Sequence, residues 1–590
     1  MQLIIKILFS SQPEQYDLAF GKLADFSGIE SVFLPVDEYI TEITSPKPAE
    51  NRRDILALSC KTLADVYHSP AIFGEKVSLI KNMASFLLIY GIAPGSDNAG
   101  VLKNFTNGVV KDVIRYRNNE SEYVASSDNP DITRYFSGLS FGPVKKEADF
   151  GLEVSDPRNN IAELVVIGSS PIFLLIEEDN CCIFLLATNQ LIDIDRKAEE
   201  MPRAADYFSG LVLPLMFIKY VFKDFCWHNE MEYASLTIDD PLIKNKYGFL
   251  DYDSLLTEMD RHNFFTNIAF IPWNYQRTDK RMGKIFRERN DRLGVCVHGC
   301  DHTGSEFGIK DQREIDRKAK LSLRRMMLHE GKYHIPFDRI MCFPQGVFSA
   351  EAMLVLKANN YLAAINSDFE AVEPGLDIKL RDVLEPAVMS YHSFPLYYRR
   401  YPGDIASFAF DLFLGKPALI VTHHNDYQKM ETITDLVRML NALSGNINWM
   451  SLSNIVQSSY LTRRLREYEF QIRLYSPVAN VFNQSDHIAT YHIYKREHLD
   501  IKISQVKING SITPYELDHN DLGICTNVPP KSSINVEIIY EELYSDTEPA
   551  LGKYTNLKIA LRRILSEIRD NYIAKQPLLL TLYNRLRKYI

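Results

Sequence analysis

A chain of 590 residues with 46% hydrophobic content has material for three or four domains, each with its own core, and is far from the composition of a disordered or fibrous protein. Its net charge of −10 argues against nucleic acid as a partner, because a phosphate-binding surface needs a basic excess. Eight cysteines, at 60, 181, 182, 226, 296, 300, 342 and 525, include no Cys-x-x-Cys pair and are too sparse for a disulfide framework, which points to a reducing, cytoplasmic setting.

Residues 1–229 read as an α/β domain without a chemical signature. The apolar start lacks a charged leader region and a small-residue cleavage site, so it reads as a first strand. Strand-like runs at 2–9, 162–167, 172–177 and 181–187 alternate with helical patterns at 16–26 and 52–67. The loops at 91–96 and 137–143 contain glycines but not the spacing of a phosphate cradle. A helix over 204–222 is expected to lead into the next domain. Its apolar patch, 211–222, carries Pro214 and Lys219 and falls short of the ~20 residues that span a bilayer.

From 230 to 461 strand and helix patterns alternate regularly, as in a parallel sheet or barrel. The run 234–238 is small, apolar or β-branched and stops on Asp239-Asp240-Pro241. Proline supplies no N–H to a ladder and pushes the residue before it out of the helical region, so both acids are placed at the carboxyl end of a strand. Active sites of α/β proteins lie at such ends. Two adjacent carboxylates point to opposite faces of a regular strand, so sharing one site requires a turn at Asp240. A second strand, 293–298, ends on His298 and runs into Gly299-Cys300-Asp301-His302. Two histidines four apart with a nearby carboxylate form the set that a catalytic zinc takes, three N/O ligands with one open position. A softer set using Cys296 and Cys300 is disfavoured, since Cys296 lies one pleat deeper than His298. Further helices are expected at 254–262, 282–288, 311–330, 350–359, 405–413 and 431–442. Strands are expected at 265–272, 339–343, 361–365, 387–392 and 417–423. The sum is an incomplete (β/α) barrel of about seven strands.

Residues 462–550 change to β-rich runs at 469–475, 487–495, 501–508 and 534–541, with a hairpin signal at Asn509-Gly510. They read as a small antiparallel β-sandwich, serving packing or sugar binding. Residues 551–590 form a basic, amphipathic helical tail broken by Pro577, able to pack on the acidic body, dock on a partner or lie on an anionic membrane surface.

Four ordered motifs carry a resemblance: Thr237-Ile238-Asp239-Asp240, His298-Gly299-Cys300-Asp301-His302, Phe343-Pro344-Gln345-Gly346 and Thr422-His423-His424. In order and spacing they resemble the polysaccharide deacetylase family, the NodB-homology domain, over roughly 231–460. The resemblance implies metal-dependent hydrolysis of N-acetyl or O-acetyl groups on a carbohydrate or glycan precursor. It implies a Zn2+ or other divalent cation on Asp240, His298 and His302, with Asp239 as general base and His423 or His424 as the acid. It also implies that Phe343, Pro344, Gln345 and Gly346 border the substrate, with a backbone N–H after Pro344 in the oxyanion site. Trp273 and Tyr391 are candidate sugar platforms, with core packing as the alternative. Where the family has an arginine that braces its catalytic aspartate, this chain has Met341-Cys342, so a missing cation is expected there. Ile238 and Pro241 also replace the usual aromatic and glycine. The alternative from another class is a catalytically silent carbohydrate-binding or scaffold protein. A glycoside hydrolase fits poorly, because its carboxylates stand ~5 to ~9.5 Å apart on different strands. The expected setting is cytoplasmic, with peripheral contact on the inner membrane face through 553–590.

Overall fold

The computed structural model describes residues 3–576 apart from 45–52, 68–69, 118–120, 156–159, 179, 373–375, 499 and 546–552. The site is built by the central parallel sheet. Its strands are β1 (Tyr233–Asp239), β2 (Thr266–Phe270), β3 (Leu293–His298), β4 (Asp338–Cys342), β5 (Ala363–Asn366), β6 (Leu396–Tyr398), β7 (Ala418–His423) and the short β8 (Asn448–Trp449). They lie in the order β6-β5-β4-β3-β2-β1-β7, with β8 beside the start of β1. The sheet curls until its two edges touch. Arg400, just past β6, donates its N–H to the Leu419 carbonyl on β7 (2.9 Å) and accepts the Val421 N–H (2.9 Å). The fold is thus α/β, with a seven-stranded curled barrel closed by a single residue.

Side-chain alternation divides the barrel into two faces. Ala234, Leu236 and Ile238 of β1, Ile268 and Phe270 of β2, and Val295 and Val297 of β3 point outward into the main core beneath the helices. Ala269, Cys296, Ile340, Cys342, Ala363, Ile365, Tyr397 and Leu419 fill the interior. The helices begin where the sequence supplies a side-chain cap. Asp251, Asp279, Asp311, Ser349 and Asp404 each accept a backbone N–H of the following first turn, satisfying donors that would otherwise lack partners.

One expected barrel strand is corrected. Residues 387–392 are not a strand of the sheet; Val388 turns back on Leu396 in an isolated antiparallel bridge, and His392 and Ser393 adopt left-handed backbone (φ 54° and 55°). The strand of the sheet is the following Leu396–Tyr398.

Ahead of the barrel, a nine-stranded mixed sheet sets five parallel strands beside four antiparallel ones. The helix expected over 52–67 is corrected: Asp54–Ser59 is a central strand and only Cys60–Tyr67 is helical. Its Ile-Leu-Ala-Leu run is buried on both faces, and such a run has no period to tell strand from helix. The connecting helix runs from Ala204 to Phe225, longer than expected. By length and composition it could cross a membrane, and 78% of its apolar window is buried inside the protein.

Beyond the barrel, two sheets enclose a core that includes Ile472, Leu474, Val481, Ile493, Leu522 and Val536. Asn509 and Gly510 form the hairpin turn with φ of 50° and 79°. The expected all-antiparallel sandwich is corrected, because Glu469–Leu474 pairs parallel with Ala489–Arg496. Between them the chain crosses to the other sheet as Val478–Phe482, so it returns in the same direction.

Candidate metal and acid–base site

The inward-facing files of several strands end in chemistry. At the carboxyl ends stand Asp239 on β1, His298 on β3 and Cys342 on β4, with Arg399 just past β6. Register places His423 of β7 opposite Asp239. Register partners on neighbouring parallel strands share a face, so His423 belongs to the Asp239 side and His424 to the opposite one.

The missing cation is corrected. Arg399 Nη1 and Nη2 reach Asp239 Oδ1 and Oδ2 at 2.8 and 3.1 Å, a bidentate pair in which the arginine is 2% and the aspartate 6% exposed. Burial alone would push the Asp239 carboxyl up; the Arg399 guanidinium, with His298 nearby, holds it below the usual carboxylate range. Cys342, which stands where the sequence led one to miss an arginine, donates its thiol to Asp239 Oδ1 at 3.5 Å.

Asp240 leaves the strand at once. Its φ is +80°, a strained value for a non-glycine residue before proline, and it swings the second carboxylate onto the same site. Asp240 Oδ1 lies 3.3 Å from His298 Nε2 and 3.0 Å from His302 Nε2. His298 Nδ1 is 3.0 Å from the Cys342 carbonyl, which can only accept, so Nδ1 carries a proton and Nε2 is the atom turned to Asp240. Lone pairs facing one another at this distance require a proton or a cation between them. Carboxylate, Nε2 and Nε2, all within 4.8 Å of one another, are a fitting donor set for a divalent cation. A fixed Nδ1–H to a carbonyl is the usual support for a metal-binding histidine. A second grouping, Asp239, His298 and Cys342, fits less well, because both Asp239 oxygens are already on a guanidinium.

The loop bearing His302 is locked by Glu306, a residue the sequence reading passed over. Its buried carboxylate accepts the N–H groups of Cys300 (2.7 Å), Asp301 (3.1 Å) and His302 (3.0 Å). Gly299, at φ 62°, is required beneath it, since any Cβ there would strike the Glu306 carboxylate and the Pro344 ring. Asp301 faces away and is paired with Arg325 at 2.7 Å.

The residues expected to border a substrate differ in exposure. Phe343 is buried and stacked on Phe348, and Pro344 is buried beneath Gly299, so neither side chain is exposed at the surface. Gly346 returns its N–H to the Phe343 carbonyl (3.2 Å). Gln345 is the exposed member of that run, with left-handed backbone at φ 60°. Tyr391 is 2% exposed, and its hydroxyl donates to the Phe369 carbonyl at 2.8 Å, so it offers no face to a sugar. Trp273 is half-buried, and Arg325 lies over its ring at 5.0 Å, which leaves one face at most.

His423 stacks near Tyr401, with centroids 6.4 Å apart and planes 11° apart. His424 is held elsewhere. Its ring meets the Tyr247 ring edge-on, and its Nε2 is 3.6 Å from Asp570 on the last described turn of the chain. That turn extends the C-terminal helix (Lys553–Ile568), which docks on the loop after β1. Glu567 bridges Lys244 and Arg277, Asp570 accepts the Tyr247 hydroxyl at 2.8 Å, and Asn571 accepts the Gly248 N–H at 2.9 Å. Arg563 is buried in the same contact, close enough to Asp240 for the two charges to be felt.

No protein-family model matches the chain, and no curated protein matches it. Among solved structures it is similar to a family 4 carbohydrate esterase from Streptomyces lividans, with 14% identity over 38% of this chain and 93% of that one, at a TM-score of 0.24. It is also similar to a family 4 acetyl xylan esterase from Clostridium thermocellum, solved with a cobalt ion (12%, 38% and 89%, TM-score 0.24). A third is a CE4 family pseudoenzyme from Bacillus anthracis (13%, 37% and 64%, TM-score 0.23). Likeness at this level decides nothing about the chemistry, which rests on the side chains described above.

Proposed function

We propose that the chain is a metal-dependent deacetylase hydrolysing an N-acetyl or O-acetyl group on a carbohydrate or glycan precursor. One observation carries the reading: an arginine-braced carboxylate, Asp239, stands at a barrel mouth directly beside the three-donor set of Asp240, His298 and His302. A divalent cation, zinc by the nature of the donors, would supply there a water of lowered pKa and a polarised acetyl carbonyl. Asp239, kept ionised by Arg399, takes a proton from the attacking water. His423, on the same face, gives a proton to the departing amine or hydroxyl as the acetyl C–N or C–O bond breaks and acetate forms. The backbone N–H of Gln345 is the remaining candidate of its run for the carbonyl oxygen.

Metal analysis of wild type and His298→Ala, with hydrolysis of an acetylated oligosaccharide panel by wild type and Asp239→Asn, tests the reading. His298→Ala should lose most of the metal. Asp239→Asn should keep it and lose about two to four orders of magnitude in rate, the range of general acid–base catalysis. Full occupancy in the first variant, or an unchanged rate in the second, defeats the assignment. A second reading, a catalytically silent scaffold, draws on the C-terminal helix docked beside the mouth; silence of the metal-loaded wild type on the whole panel favours it.

A further inference from the structure

The C-terminal helix is amphipathic with its polar side turned inward. Ile559, Arg563 and Asp570 are buried against the barrel, 4%, 9% and 4% exposed. On the opposite side, Leu557, Leu561, Ile564, Leu565, Ile568 and Tyr572 are 43–69% exposed. At 100° per residue those six fall within one narrow sector, and the buried three fall roughly across the axis from them. The stripe is therefore not the face that holds the helix to its own domain. Ion pairs and hydrogen bonds from Glu567, Asp570 and Asn571 do that.

Charge identifies what the stripe faces. Lys558, Arg562 and Lys575 are exposed on this segment, and on the helical wheel Lys558 and Arg562 border the stripe. Residues 553–590 hold nine basic and two acidic residues, a surplus of seven, whereas the chain as a whole is at −10; the remainder is thus at −17. A cationic, apolar-striped surface on an otherwise acidic protein is complementary to an anionic bilayer, which accepts the leucines between its headgroups and pairs its phosphates with the cations. An acidic body of this size would be repelled from such a surface unless this helix led the approach.

We infer that the face formed by Leu557, Leu561, Ile564, Leu565, Ile568 and Tyr572 seats the protein on an anionic lipid surface. Because the inner side of the same helix grips the loop after β1, this seating sets the barrel mouth beside the bilayer. The binding claim is independent of the proposed deacetylase activity.

Flotation of the full chain with phosphatidylcholine vesicles, with and without phosphatidylglycerol, tests it against Leu561→Glu/Leu565→Glu. Both residues are exposed, and unchanged melting of the double variant will show that it folds. The wild type should float with the anionic vesicles, much less with the neutral ones, and less at high salt. The double variant should bind at least about tenfold more weakly, having lost two inserted apolar side chains and gained two repelled charges. Equal flotation of the two proteins, or none of the wild type, overturns the inference. A concentration-dependent dimer of the wild type that the double variant abolishes, without flotation, would give the stripe to a second copy instead.

Discussion

At the Asp239–Arg399 pair, two fully buried opposite charges meet in bidentate geometry, and removing one leaves the other in a medium that does not solvate it. Arg399→Met should cost about 3–5 kcal/mol of stability, read as a lowered melting temperature. It should also change the pH dependence. A general base acts when ionised, and burial without the guanidinium raises the Asp239 carboxyl, so the acid limb of kcat/KM should move to higher pH; an unmoved limb would separate Arg399 from the base. Arg399→Lys, which keeps the charge but not the fork, should lie between. Glu306 makes a second case, because three backbone N–H groups of the His302 loop point to its carboxylate. Glu306→Ala should weaken metal binding about 10–100-fold, as loss of supporting contacts does, measured by chelator competition. Neither residue was legible in the sequence as part of the site. Asp239 and His298 announce themselves by ending buried strands, and Asp240 and His302 by following them within a few residues. Arg399 lies 160 positions from its partner and reaches it only because the sheet closes on Arg400. The trace it left was alternation, Tyr397 and Arg399 on one face of a short strand.

At the scale of elements, the repeating βα pattern was legible because the strands are buried runs and most of the long barrel helices begin at a side-chain cap. Where that contrast failed, so did the reading: residues 54–59 carry no period, and 387–392 are apolar yet turn. The C-terminal helix shows a different limit. Its amphipathic pattern was visible, but the ordinary expectation puts the apolar face on the protein, and here the polar face docks. That docking depends on Glu567 between Lys244 and Arg277 and on Asp570 beneath Tyr247 and His424. Burial pushes both carboxyls up, but Lys244 and Arg277 hold Glu567, and His424 with Arg569 holds Asp570, below their ordinary values. Glu567→Gln/Asp570→Asn should therefore loosen the helix without unfolding the barrel. Limited proteolysis should then cut between 553 and 576 severalfold faster than in wild type, while barrel fragments keep their lifetime. Unchanged cleavage would place the docking energy in other contacts.

At the scale of the whole molecule, the junction of the barrel and the β-rich module sets a buried charge cluster beside an apolar seam, to which Leu354 and Ala358 contribute. Lys357, from the helix Ala350–Ala358, and Lys495, from the strand Ala489–Arg496, share Glu497, and all three side chains are 1% exposed. Lys357 also donates to the His392 carbonyl (2.9 Å) and Lys495 to the Ser393 carbonyl (3.1 Å); these belong to the turn that displaced the expected strand at 387–392. One carboxylate against two ammoniums leaves a surplus positive charge in the interior, and burial lowers Lys495 to about 8 despite its partner. Glu497→Gln removes the carboxylate that both lysines share and should cost about 3–5 kcal/mol, the penalty of breaking a buried pair from one side. The pH dependence follows from linkage. In the unfolded chain Lys495 keeps its proton to its ordinary high pKa, whereas in the folded variant, without the carboxylate, it loses it below about 8. Between those values the unfolded state binds more protons, so the variant's stability rises with pH. In the wild type that rise begins only near 8, so the gap between the two proteins should narrow as pH climbs toward 8. Denaturant unfolding of both proteins across that range decides the matter. A gap that stays constant with pH would mean that Lys495 keeps its proton in the variant, and that water or the Ser393 carbonyl, not Glu497, holds its charge.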